Sequence, residues 1–208
     1  MWLTFLLVVL RLTGSFLFGP ITVTMQEALR YALLWTLAFL LVGVAEEFIF
    51  RGYIQFTLTS GFRFLGSGWG FLTAAILTSL LFAVAHRGNS GENLLGLGTV
   101  MAIGLFFAFT LWRTGSLWFA IGFHASWDWA QTFLYGVPNS GVLAKGHLLN
   151  PTIQGPHWLS GGSVGPEGSL LMYPLIAAMF LIFNLTFPKG TRYPAVTEMP
   201  ATAPTPSV

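Results

Sequence analysis

Residues 28–59 read ALRYALLWTLAFLLVGVAEEFIFRGYIQFTLT. From Tyr31 to Ala45 the run carries no charge. Glu46, Glu47 and Arg51 then arrive among Phe48, Ile49 and Phe50, with apolar residues continuing beyond them. A stretch of about 17–25 apolar residues crosses a hydrocarbon core of about 30 Å when it is helical, at 1.5 Å per residue. A membrane helix that carries three charged side chains near its middle is therefore the reading from which the rest follows.

The chain around it supports that reading. Of its 208 residues, 54% are hydrophobic and 8% are charged, against about 25% charged in a soluble domain. Apolar segments recur at about 2–18, 28–59, 70–87, 94–112, 116–135 and 168–187. An open sheet edge in lipid would leave N–H and C=O groups unpaired at several kcal/mol each, and the alternation of a membrane barrel is absent. The expected fold is an all-α, polytopic transmembrane bundle of about six spans, multi-pass in the cell membrane and bathed in lipid. One membrane domain covers 1–188, with a Pro/Thr/Ala-rich disordered tail at 189–208. The first segment lacks a basic n-region and a small-residue cleavage site, so it reads as a retained helix rather than a signal peptide. Gly136–Gly168, rich in Gly and Pro, is one long loop of the kind that serves as a lid. The net charge of +2 without a Lys/Arg run gives no footing for nucleic acid, and the absence of Cys excludes disulfides, thiolate zinc sites and a thiol nucleophile.

Of seven acidic residues, Glu27, Glu92, Glu167 and Glu198 fall in links or in the tail, whereas Glu46, Glu47 and Asp128 lie in apolar sequence. His86 and His124 also lie in apolar segments; His147 and His157 are in the long loop and read as solvated. An ionisable group at bilayer depth costs about 2.5–3.5 kcal/mol on insertion scales, so these residues need one another or water. Glu47 and Arg51 are four apart and form an ion pair on one helix face. That pair leaves Glu46 free to act as a base. Phe82 and His86 share a face, as do His124 and Asp128. The last pair can hold a metal, share a proton or bind an oxyanion. If the second and third segments meet at Thr59 and Gly70, Glu46 lies about 20 Å and His86 about 24 Å from that side, with His124 and Asp128 at about 12 and 18 Å. Ordinary helix tilt brings these depths together.

EEFIFR (Glu46–Arg51), FAVAH (Phe82–His86) and HASWD (His124–Asp128) resemble the motifs EExxxR, FxxxH and HxxxN/D of the CAAX prenyl protease and bacteriocin-processing (abortive-infection-like) family. They occur in the family's order and cover a core of about residues 30–135. Asp128 is the variant common in bacterial-type members; prenyl-protein proteases tend to carry Asn there. The resemblance implies intramembrane peptide-bond hydrolysis of a membrane-associated protein or peptide, lipidated or not. Glu46 and His86 would activate water, His124 and Asp128 would stabilise the oxyanion, and Glu47 and Arg51 would be the supporting ion pair. It leaves two chemistries open. One is a Zn2+ site built from His86, His124 and either Asp128 or Glu46; the other is a metal-free reaction. The alternative class is a non-catalytic membrane scaffold or bacteriocin-immunity factor. A proton-coupled transporter would show two similar halves, and no such repeat is present.

Overall fold

The computed structural model describes residues 1–187. The tail expected at 189–208 lies outside them. Each apolar segment carries a helix, in the order α1 (Trp2–Leu12), α2 (Met25–Glu47), α3 (Gln55–Gly61), α4 (Ser67–His86), α5 (Leu94–Thr114), α6 (Trp118–Trp129), α7 (His157–Ser160, in the long loop) and α8 (Met172–Thr186). The chain is an integral membrane protein. Among the described residues, three helical stretches are long and apolar enough to cross a membrane, Met25–Gly61, Ser67–His86 and Leu94–Thr114. The apolar helices α1 and α8 have 11 and 15 residues, or about 16 and 22 Å.

Two π-helical turns interrupt the long elements. Phe48–Ile54 joins α2 to α3, and Ala130–Tyr135 extends α6. In the first, Gln55 N–H bonds to the Phe50 carbonyl five residues back. Such turns widen the helix locally and recur at functional sites; here the first contains Arg51 of the EEFIFR motif and the second begins two residues after Asp128. At the start of α2, Thr24 and Glu27 form a reciprocal capping box, which satisfies two N–H groups that a helix end leaves unpaired. Glu27 thus belongs to the first turn of a helix.

The first apolar segment departs from the expected single helix over 2–18. It ends after Leu12, Gly14 adopts φ +78°, and Phe16–Leu17 (β1) pairs antiparallel with Thr152–Ile153 (β2) of the long loop. This small ribbon is the departure from an all-α structure.

α1 and α8 pack on the centre of the bundle, with Leu6, Leu7, Leu10, Met172 and Met179 buried against Phe106 and Phe107 of α5. α2 lies at the periphery and turns Leu29, Leu33, Leu37, Leu40 and Leu41 outward, as expected of a helix solvated by lipid. Its inner face packs on α6, while α4 packs on α5. Two glycines permit these approaches. A Cβ on Gly43 would stand 3.1 Å from the Ile121 carbonyl of α6, and one on Gly104 would stand 3.0 Å from both Arg51 Nη2 and Ser79. Gly43 sits one turn before Glu46 and Glu47, so a close α2–α6 approach lies beside the carboxylates that meet the other helix.

Candidate active site

Glu47 and Arg51 form the expected pair. Arg51 Nη1 donates to Glu47 Oε1 at 3.0 Å, and both side chains are fully buried. The same oxygen faces His124 Nδ1 at 3.0 Å. Because a carboxylate only accepts, Nδ1 carries the proton of that bond. Glu47 therefore ties α2 to α6 and orients the His124 ring, a larger role than the ion pair alone. The Arg51 guanidinium lies 4.3 Å from the centre of the Phe82 ring and 5.4 Å from that of Phe107. Stacking on aromatic faces compensates in part for a buried cation.

Phe82 is shared by the whole arrangement. Its ring meets His86 edge-on at 4.6 Å and His124 at 6.1 Å. His86 Nδ1 donates to the Phe82 carbonyl at 2.8 Å, since a carbonyl has no proton to give. In the neutral ring, Nε2 then keeps its lone pair. The four-residue spacing in FAVAH thus fixes the packing and the tautomer of His86 together.

His124 Nε2 lies 3.5 Å from Asp128 Oδ2 and 3.7 Å from Glu46 Oε2. Glu46 Oε2 has no hydrogen-bond partner, in line with a carboxylate left over once Glu47 is paired. Glu46, His86, His124 and Asp128 all line one cavity of about 190 Å3. The depths read along three separate helices thus converge. His147 and His157 do not line it; His147 bonds to the Leu149 carbonyl and His157 opens α7.

The long loop supplies the other wall, through Asn139, Ser140 and Glu167. Glu167 accepts from Trp127 Nε1 at 2.8 Å and from the backbone N–H and hydroxyl of Ser140 at 2.9 and 3.0 Å. Asn139 and Asp128 line the same cavity. On the far side, Asn89 Nδ2 donates to the Ser140 carbonyl, and Gly91 N–H to that of Gly141. The link after α4 and the long loop therefore close over the site as one bonded layer.

A family model described as type II CAAX prenyl endopeptidase Rce1-like matches residues 28–130, about half of the chain. The chain belongs to this family. No curated protein and no solved structure matches it. The matched region of this Rce1-like protein contains all six motif residues and stops before the loop that covers them.

Among the described residues, no three His, Asp or Glu side chains are grouped so that they could hold a metal ion. One nitrogen of each cavity histidine is bonded to a protein acceptor, which leaves Nε2 of each ring open, as it is in a metal-bound histidine. The donors face one another around the cavity.

Three lining residues had no signal in the sequence. Glu167 read as a link residue, and Asn139 and Ser140 were two polar residues in a Gly/Pro-rich loop. Trp127 and Trp129, which in an isolated helix suit the membrane interface, turn inward instead. Trp127 donates to Glu167, and Trp129 donates to the Ala32 carbonyl of α2.

Proposed function

We propose that this protein is an intramembrane endopeptidase that hydrolyses a peptide bond in a membrane-associated protein or peptide, using Glu46 as general base and no metal ion. The observation that carries the reading is the Glu46 carboxylate, whose Oε2 lies 3.7 Å from His124 Nε2 with no hydrogen-bond partner, in a cavity that His86 and Asp128 also line. The scissile carbonyl enters the cavity beside Glu46 and His124. Glu46 takes a proton as the water oxygen bonds to the carbonyl carbon, and the C=O π pair moves onto oxygen. His86 Nε2 accepts from the other O–H of the same water and aims its lone pair at carbon. His124 and Asp128 form the wall that faces the developing oxyanion. When the intermediate collapses, the C=O bond re-forms, the C–N bond breaks, and the proton held by Glu46 passes to the leaving nitrogen.

The substrate fits a chain that approaches from the membrane, including one whose terminal segment carries a lipid, and the protein is placed in the cell membrane. The test uses the full-length protein in lipid nanodiscs. It is offered a pool of quenched fluorescent peptides, some farnesylated at a cysteine three residues from the C-terminus and some unprenylated. Glu46→Gln keeps the shape of the side chain but removes the base. It should lower turnover by about 100- to 10,000-fold with the melting temperature retained. Cleavage that survives Glu46→Gln, or that disappears on chelation and returns with zinc, sinks this reading. Retention of a cellular phenotype by the same variant would point to a non-catalytic scaffold.

A further inference from the structure

An ionised Asp128 offers the oxyanion only acceptor oxygens. A negative charge developing beside it needs hydrogen-bond donors, and the helices supply few. His124 Nδ1–H is spent on Glu47. The helical motif therefore supplies a donor to the wall opposite Glu46 only when His124 also carries a proton on Nε2.

The loop brings one. Asn139 lines the same cavity as Asp128 and Glu46. A primary amide has two N–H donors, so one can rest on the Asp128 carboxylate while the other meets a substrate oxygen. We propose that Asn139 is a further catalytic residue of this site, an amide donor to the tetrahedral oxyanion, which Asp128 orients and Glu167 holds in place through the loop. This rests on the endopeptidase reading above and adds a group that the three helical motifs do not contain.

The backbone around Asn139 is built for positioning. Asn139 and Val142 exchange both of their backbone hydrogen bonds, at 3.0 and 2.9 Å. Gln131 Nε2, from the π turn after α6, donates to the Pro138 carbonyl at 2.9 Å. The next residue, Ser140, has φ +43°, the one left-handed non-glycine among the described residues. A β-carbon in that region costs free energy and persists where surrounding bonds enforce it. Here Glu167 takes both the N–H and the hydroxyl of Ser140, and Asn89 takes its carbonyl. The strain is held by a carboxylate that also grips Trp127, one residue before Asp128. Asn139 and Asp128 are thus anchored to the same group from two sides, and Glu167 is a positioning residue.

The experiment uses the full-length protein in nanodiscs and the mixed peptide pool. Asn139→Ala should lower kcat by about 100- to 1,000-fold with KM little changed, because the bond forms only in the transition state. Asn139→Asp keeps the size but removes the donors, and should be as impaired as the alanine variant. It also carries the test should Asn139→Ala fail to fold. Restoring an amide from the helix, as Asp128→Asn in the Asn139→Ala background, should recover a substantial part of the lost kcat; a residue that merely packs would show no such rescue. If Asn139→Ala and Asn139→Asp cut at the wild-type rate while Glu46→Gln is inert, the role of Asn139 is overturned and the protease reading stands. If the wild type cuts nothing in the pool, both fall together.

Discussion

Glu47, behind the helical wall of the cavity, and Glu167, on its loop wall, are both buried carboxylates that hold other site residues in place, yet they are satisfied differently. Glu47 is fully buried, and its partners are Arg51, a cation, and His124, which can become one. Glu167 is met by three neutral donors, an indole N–H, a backbone N–H and a hydroxyl. The first arrangement is a charge balance within packed helices and does not survive loss of a member. The second is a set of hydrogen bonds spanning loop and helix, and it should open without unfolding the bundle. The helical wall is built to be permanent and the loop wall to be closed.

The largest effect should come from breaking the charge balance. Arg51→Ala leaves Glu47 buried with its main counter-charge gone. Removing one partner of a buried pair costs about 3–5 kcal/mol, and here the stack on Phe82 is lost as well. The variant should melt far below the wild type in detergent and accumulate poorly in membranes. A melting temperature near the wild type's would mean that Glu47 does not depend on Arg51, and the contrast drawn here would fail. Arg51→Lys should fall between, since a lysine lacks the planar fork and its stacking.

Opening the loop wall should be milder and local. Glu167→Gln keeps one acceptor oxygen and loses the other, so it cannot serve both Trp127 and Ser140 as the carboxylate does. A hydrogen bond to a charged acceptor is worth about 1.5–3 kcal/mol. Amide exchange at 137–142 should speed up while that of α4 and α5 stays slow, and turnover should fall with little change in melting temperature. Uniform loss of protection across the bundle would show that the loop is part of the permanent core.

The two walls also differ in how far they can be read from the chain. Glu46, Glu47, Arg51, His86, His124 and Asp128 stand out because charge is rare in apolar sequence, and four-residue spacing says which of them share a face. The family resemblance then supplied the order of the motifs. Period carries nothing about Glu167, which meets Trp127 across 40 residues and Ser140 across 27. No helical repeat relates them, and a lone Glu between Pro166 and Gly168 looks like any turn residue. The π turns at Phe48–Ile54 and Ala130–Tyr135 escape for a related reason. Their sequences are ordinary helix, and it is packing against other elements that inserts the extra residue. The single helix expected over 2–18 failed at Gly14, where pairing of Phe16–Leu17 with the distant Thr152–Ile153 outweighed continued apolar sequence.

The smallest effect should come from the edge of the loop wall, at Glu92. This residue sits in the link between α4 and α5, half-buried, and its Oε1 accepts from Asn93 N–H at 2.9 Å. Burial pushes its carboxyl above the usual range, and the nearby charge of Glu167 pushes it further; the Asn93 bond opposes both. A raised folded value means that the folded protein holds this proton more tightly than the unfolded chain does. The stability it gives is complete below the ordinary carboxylate range and is lost as pH rises through the folded titration. The link and the loop bonded to it should therefore loosen between acid and neutral pH. Glu92→Gln keeps the oxygen that accepts from Asn93 and removes the titration. It should protect 88–93 and 139–142 from exchange at neutral pH and leave them unchanged in acid. The opposite slope, with the wild type tightening as pH rises, would mean that Glu92 is stabilised as an anion. The Glu92–Glu167 repulsion would then not be what sets how readily this wall opens.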